Sequence, residues 1–352
     1  MGLEEVYDRL QWVELERQLQ TFYPQWDISL WQLIKMVIQG RGMEAIRQVF
    51  GQLQENLLME WGNWKNIWIT VIIVILLSAI FAAFKNTFQN KQMAEIAFHI
   101  NYLILIILFS GVFQRVLKTG EVTLNNIEEF MRLFFPAYFM TLGIAAGTAT
   151  GLVYFQLACM VIYGVELLLK AILLPFISGY MLFTIMNGVW GEERLELLLE
   201  LLKKGIKTSL KLLMGILTGA SLIQSMITPV IEQVKTEAAY KAVEALPGVG
   251  ELSEGVMRLW LGSAVLIKNS VGIISCLLLL GITLIPLLKI AAAGCMLKLI
   301  AAILGMVGDK RMIHFTNHVG DGILLLLNTV AHGILFFLVL IAITAYSTNG
   351  GL

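Results

Sequence analysis

The sequence predicts an all-α protein, a polytopic transmembrane helix bundle with a small N-terminal helical head. Three observations lead to this fold class: 58% of the 352 residues are hydrophobic, only 14% are charged, and the mean hydropathy is +0.78. Soluble globular chains carry about 25% charged residues, so this chain has too little charge to cover a soluble surface. The charge is also uneven, because residues 1–65 hold 15 of the 50 charged side chains.

Uncharged runs define the predicted membrane spans. A helix needs about 20 apolar residues to cross a hydrocarbon layer of about 30 Å. We expect about nine spans, at 66–84, 96–114, 133–156, 158–177, 178–191, 212–231, 269–288, 290–308 and 322–352. The chain then divides into a head at 1–65, two spans with their loop at 66–132, and a polytopic membrane core at 133–352.

The head reads as a series of short helices. Glu4 to Gln20 has a helical pattern, and Ser29 is a suitable N-cap for a second helix that ends near Gly40. A third helix is predicted from about Met43 into the first span.

An internal repeat is visible in the membrane core. The segment Gly188 to Arg194 (GVWGEER) recurs as Gly305 to Arg311 (GMVGDKR), and Pro175 corresponds to Pro286. The match predicts two halves of three spans each, 158–231 and 269–346. An odd number of spans per half would invert the second copy, and such 3+3 inverted repeats are common in transporters.

The segment 192–211 indicates the orientation of the chain. It contains the densest basic cluster and has an amphipathic helical pattern, which predicts a helix on the cytoplasmic membrane surface. Counting back five spans places the head at 1–65 outside the cytoplasm.

Three charged residues stand inside predicted spans and are candidates for a polar pathway. Glu166 and Lys170 are four residues apart, so a helix places them on one face. Lys298 has no acid three or four residues away, so its partner must come from another helix, and Glu166 is one candidate. Such residues either line a pathway or dock helices, or they snorkel to the membrane surface from a span boundary.

Glycines at helical spacing predict close helix packing. Gly143, Gly147 and Gly151 form a GxxxGxxxG pattern, and Gly215 and Gly219 repeat the spacing. Small residues let helix backbones approach closely in lipid. The partner helix belongs either to this bundle or to a separate membrane subunit.

The sequence offers no motif for catalysis, cofactor binding or metal binding. A P-loop is missing, and the pair His314 and His318 lacks the glutamate of the HExxH motif. No basic stripe suggests nucleic acid as a partner. The predicted inverted repeat and the charges inside predicted spans favour a self-sufficient secondary transporter, whereas the missing motifs make an intramembrane enzyme a weaker alternative.

Three stretches of the chain resemble the stage III sporulation protein AE family. They are 28–40 (ISLWQLIKMVIQG), 174–179 (LPFISG) and the region from 242–250 (AVEALPGVG) through 270–272 (SVG). The resemblance covers nearly the whole chain, and the last stretch is its most specific part.

The resemblance implies a multi-pass protein of the mother-cell membrane around the forespore in endospore-forming bacteria. Members of the family are taken to belong to the channel apparatus that joins the two compartments and supports late forespore gene expression. The implied partners are the sibling stage III sporulation proteins, including their ATPase, and indirectly a forespore membrane protein. The resemblance carries no catalytic residue over to this chain.

Overall fold

The computed structural model describes residues 16–17, 29–61, 69, 73, 91–146, 148–190, 195–219, 250–307 and 310–347. All regular structure in these ranges is helical, and they contain no strand, which confirms the all-α class. The elements are α1 (Leu30–Ile38), α2 (Gly42–Trp61), α3 (Lys91–Ala146), α4 (Thr148–Glu166), a π-helical segment (Leu167–Leu173), α5 (Leu174–Trp190), α6 (196–219), α7 (Gly250–Val307) and α8 (Lys310–Ser347).

The turn between α1 and α2 lies where the sequence predicted it. Gly40 has a φ of 76°, a left-handed conformation that glycine adopts without steric cost. Its N–H donates to the carbonyl of Val37 at 3.0 Å, and the N–H of Arg41 donates to that of Met36 at 2.8 Å. These two bonds form a Schellman motif, which ends α1. Arg41 then hydrogen-bonds Glu44 and lowers the pKa of that carboxyl.

Four helices are long and apolar enough to cross a membrane. They are Tyr102–Pro136, Ala158–Val189, Ser270–Gly305 and Lys310–Thr344. They pack on one another around one apolar core, and α1 and α2 contact α7. The membrane class predicted from composition therefore agrees with the described helices.

The prediction of nine spans is not confirmed, because several predicted span boundaries lie inside continuous helices. The break expected between 177 and 178 is absent, since α5 continues to Trp190. The spans predicted at 269–288 and 290–308 are both part of α7, which contains Pro286 without ending there. The span predicted at 66–84 lies outside the described residues except for Ile69 and Ile73.

The charged stretch between the spans predicted at 96–114 and 133–156 is also helical. It belongs to α3, which runs for 56 residues. One face of this stretch is buried, including Leu124, Ile127 and Glu128. A helix satisfies its own backbone hydrogen bonds, so charged side chains on one face do not end it. The expected charged loop is therefore a packed helix.

The directions of α3 and α8 follow from glycines that pack against large side chains. Gly322 near the start of α8 lies against Phe113, and Gly333 further along lies against Leu124. The later residue of α8 thus contacts the later residue of α3, so the two helices run parallel.

The segment from 167 to 190 runs in the opposite direction to α8. Gly322 also contacts Tyr180, whereas Gly333 contacts Leu169, which comes earlier in the chain. The helix α7 is likewise antiparallel to α8, to which it is joined through residues 308–309.

The described parts of the two repeated motifs lie at the same end of the bundle. Gly188 in the first copy lies against Tyr102, and the Tyr102 ring packs on Phe315 near the start of α8. The second copy, 305–311, joins α7 to the start of α8. Inverted copies would lie at opposite ends, so the predicted inverted repeat of 158–231 and 269–346 is not confirmed.

The helix α6 contains the segment predicted to lie on the membrane surface. It continues past residue 211 without a break, so the boundary expected there is absent. The predicted apolar face packs on the bundle through Leu199, Ile206 and Leu210, which are buried. The apolar face of α6 therefore contacts the bundle, and its predicted place on the membrane surface stays a prediction.

Candidate functional site

Four charged residues from two antiparallel helices form a first cluster, which we call the α3–α4 cluster. It consists of Glu128 and Arg132 on α3 and of Glu166 and Lys170 at and after the end of α4. Glu128 pairs with both Arg132 and Lys170. Glu166 lies 3.4 Å from Arg132 Nη2 and 3.7 Å from Lys170 Nζ. Two acids and two bases therefore neutralise one another.

A change in helix type positions Lys170. Pro175 has no N–H, and its ring would clash with the carbonyl four residues earlier in a regular α-helix. The π-helical segment just before it widens the turn, and the Leu174 N–H bonds to the carbonyl of Leu169. The widened turn thus accommodates the proline while it presents Lys170 to Glu128. Such segments occur frequently at functional sites.

A second cluster surrounds Asp321 on α8, and we call it the α8 cluster. Lys298 Nζ from α7 lies 2.7 Å from Asp321 Oδ1, and Lys203 Nζ from α6 lies 3.0 Å from Oδ2. Lys298 also donates to Asn317, at 2.6 Å to the side-chain oxygen and 3.0 Å to the carbonyl. The Asp321 side chain is only 14% exposed. One carboxylate therefore joins three helices.

A histidine extends the α8 cluster by one helical turn. The Tyr180 hydroxyl lies 3.1 Å from His318 Nδ1, and Glu196 Oε2 lies 3.1 Å from His318 Nε2. Gly320 leaves room for the stem of Lys298, since a Cβ there would lie 3.3 Å from its methylene groups. His318 itself lies within α8.

The two clusters lie at different depths of the bundle. Gly333 on α8 contacts Leu169, which is adjacent to Lys170. From Asp321 to Gly333 the rise along α8 is about 18 Å. Both clusters therefore fit within one hydrocarbon layer of about 30 Å. The space between them is filled by buried apolar side chains, among them Leu124, Leu326 and Val330.

The structure separates the three predicted pathway residues. Glu166 and Lys170 lie together, as their spacing predicted, but Lys298 belongs to the other cluster. Its partner does come from another helix, although it is Asp321 and not Glu166.

The sequence reading missed Glu128 and Asp321. Glu128 was assigned to a loop, although Arg132 follows it at helical spacing. Asp321 stands at the start of a long uncharged run, where it looked like a helix boundary.

The predicted docking glycines that the structure describes are distributed over three helices. Gly143 lies in α3 and Gly151 in α4, while Gly147 lies outside the described residues. Gly215 and Gly219 lie in α6, and a Cβ added to either would meet no atom within 4 Å. Within the described part of the chain no helix is docked on these two glycines, and their role stays a prediction.

Comparison with known proteins identifies the family. A family model described as stage III sporulation protein AE matches residues 28–348, which include both clusters. The chain belongs to the stage III sporulation protein AE family. A relative in Bacillus subtilis (strain 168), named stage III sporulation protein AE, is 21% identical over 285 residues, which are 80% of this chain and 71% of that protein. No solved structure matches.

Membership of the stage III sporulation protein AE family confirms the resemblance found in the sequence. Together with the four long apolar helices, it makes this chain a membrane protein of a sporulation family. The two clusters are then charged features of the membrane-embedded part of such a protein.

Proposed function

We propose that this chain is a channel or permease-like core component of the sporulation apparatus that connects mother cell and forespore. It is a multi-pass protein of the mother-cell membrane around the forespore, and its role is not enzymatic. It assembles with sibling stage III sporulation proteins and their ATPase, and through them with a forespore membrane protein. Family membership and the apolar helices support this proposal.

The observation that carries the proposal is the form of the bundle. Ionisable residues within spans are costly and mark functional or docking positions. Here they form two compensated clusters that together join five helices, while apolar side chains fill the described space between the clusters. A bundle that is rigid and packed in this way suits a part of a larger assembly better than a complete pathway.

Assembly is tested at Gly147, in the predicted GxxxGxxxG docking pattern. A tagged Gly147→Leu chain, produced in sporulating cells, should enter the membrane but lose its sibling proteins on affinity purification, because the larger side chain separates the helices. Gly164→Leu is the matched control, since Gly164 is exposed on α4 with no atom near its Cβ position. Full recovery of siblings and normal sporulation with Gly147→Leu would contradict docking at this glycine.

A secondary transporter is the second candidate function. It is favoured by Asp321 and His318, two titratable groups in one candidate span that contact residues on other helices. In liposomes, such a transporter would accumulate a solute under an ion gradient without any sibling. Lys298→Ala should abolish this uptake, whereas Lys204→Ala, at an exposed residue of α6, should not. Gradient-driven uptake by the chain alone would replace the proposal of a channel component.

A further inference from the structure

The outward face of α3 is polar along a stretch that could cross most of a bilayer. We call this face the polar stripe; it consists of Arg115, Lys118, Glu121, Asn125, Glu129 and Arg132, at steps of three and four residues. All six are exposed except Glu121, which is half-buried overall. The 17 steps from the first residue to the last correspond to about 26 Å of helix. That length is close to the hydrocarbon thickness of about 30 Å.

Contacts with α8 place the polar stripe at membrane depth. Phe113, just before the stripe, lies against Gly322, and Leu124, in its middle, lies against Gly333. Both glycines belong to the inner part of the candidate span Lys310–Thr344. The stripe is therefore level with the apolar centre of α8 and does not extend from the end of the bundle.

Another outward face at the same depth is apolar. The segment 167–190, which meets α8 at the same two glycines, exposes Ile172 and Phe176. These side chains are suited to lipid. At one depth, the described bundle thus has at least one apolar side and one charged side.

Lipid does not solvate such a charged side, so it must border water or another protein. A packed protein interface in a membrane favours small residues, and interface cores are poor in Lys and Glu. The stripe instead carries long charged side chains, and Lys118 is 69% exposed even though it pairs with Glu121 at 3.2 Å. Lys118 pairs with Glu121 within the stripe, and Arg132 pairs with the two glutamates of the α3–α4 cluster, so this chain already compensates part of the charge. These features favour water.

We propose that the polar stripe of α3 borders water at membrane depth, so that this chain forms one wall of a hydrated path. The inference deepens the proposed channel role and rests on it. The path would run along the outside of the described bundle, because the described interior is packed with apolar side chains.

Thiol labelling tests the proposal in the full chain within membranes of sporulating cells. The native cysteines are first removed by Cys159→Ala, Cys276→Ala and Cys295→Ala. Single cysteines are then introduced as Lys118→Cys and Asn125→Cys in the stripe, and as Ile172→Cys and Phe176→Cys on the apolar side. A membrane-impermeant charged methanethiosulfonate is the probe, and each labelled fraction is measured over time by mass-tag gel shift.

We expect the two stripe cysteines to react at least about tenfold faster than the two apolar-side cysteines, because only a hydrated thiol ionises readily. Labelling after solubilisation in detergent shows that the slow thiols are chemically intact. Two stripe positions are used, so that poor insertion of one variant leaves the other informative. Equally slow labelling of all four would overturn the proposal, because the stripe would be covered. Equally fast labelling of all four cysteines would also overturn the proposal, because all four positions would then lie outside the membrane.

The same variants separate this inference from the proposed function. Recovery of sibling proteins and spore formation are measured alongside labelling. Fast stripe labelling in a chain that never recovers siblings would contradict the assembly role while it supports water contact. Normal assembly with an unreactive stripe would overturn only the inference drawn from α3.

Discussion

At the scale of single residues, Asp321 is the centre of the α8 cluster. Each of its oxygens faces a different lysine, Lys298 from α7 and Lys203 from α6. The sequence identified Lys298 as an unusual charge, because it stands alone in an apolar run. It could not identify the anion, because Asp321 resembles an ordinary charged residue at a helix end. Lys298 and Asp321 form a pair only because three helices pack together.

Asp321→Asn should destabilise the protein strongly. The change removes the carboxylate and leaves two ammonium groups without their shared counter-charge in a largely buried place. Loss of one partner from a buried ion pair typically costs about 3–5 kcal/mol. The thermal unfolding midpoint of the detergent-solubilised protein should therefore fall clearly.

Two further variants give this prediction its controls. Adding Lys298→Met to Asp321→Asn removes one of the excess positive charges and should recover part of the lost stability. Glu44→Gln breaks a fully exposed pair with Arg41 and should leave the unfolding midpoint almost unchanged, because water screens such pairs. A midpoint for Asp321→Asn equal to that of Glu44→Gln would show that the α8 cluster does not hold the helices together.

At the scale of helices, close packing at the end of α5 depends on a missing side chain. A Cβ added to Gly188 would overlap the Tyr102 hydroxyl, so the phenol occupies the space that a side chain would need. Tyr102 also packs its ring on Phe315 of α8. One aromatic side chain of α3 thus contacts both α5 and α8.

Gly188→Ala should destabilise the bundle, because the new methyl group displaces Tyr102. Overpacking of this kind typically costs about 1–3 kcal/mol. The matched control is Gly179→Ala on the same helix, where a Cβ meets no atom within 4 Å. Alanine is the better helix former by up to about 1 kcal/mol, so the control should be neutral or stabilising. Equal thermal midpoints for the two variants would refute the predicted clash.

At the scale of the whole molecule, the directions of the helices differ from those expected from the sequence. A count of nine spans places the loops 192–211 and 309–321 on opposite sides of the membrane. The contact of Gly188 with Tyr102, and of Tyr102 with Phe315, instead places the ends of α5 and α7 together. Several pairs of predicted membrane spans are single continuous helices in the structure. The directions of the helices that follow them therefore differ from those predicted.

Labelling of single cysteines from each side of the membrane distinguishes the two arrangements. Lys204→Cys and Lys310→Cys should be labelled from the same side, because both residues are exposed and α6 and α8 begin towards the same end of the bundle. The basic segment 192–211 predicts that this side is cytoplasmic, and Lys65→Cys should then be labelled from the other side. Labelling of Lys204→Cys and Lys310→Cys from opposite sides would restore the inverted arrangement.

The sequence by itself determined the all-helical membrane class, the turn at Gly40 and the pairing of Glu166 with Lys170. These features depend on composition or on residues a few positions apart, and so local spacing is enough to predict them. Tertiary structure alone decided the partner of Lys298, the continuity of α3, α5 and α7, and the shared end of the two repeated motifs. A charged residue in a membrane helix is tolerated when another helix supplies its counter-charge or when its face borders water, and neither condition can be read from one helix alone.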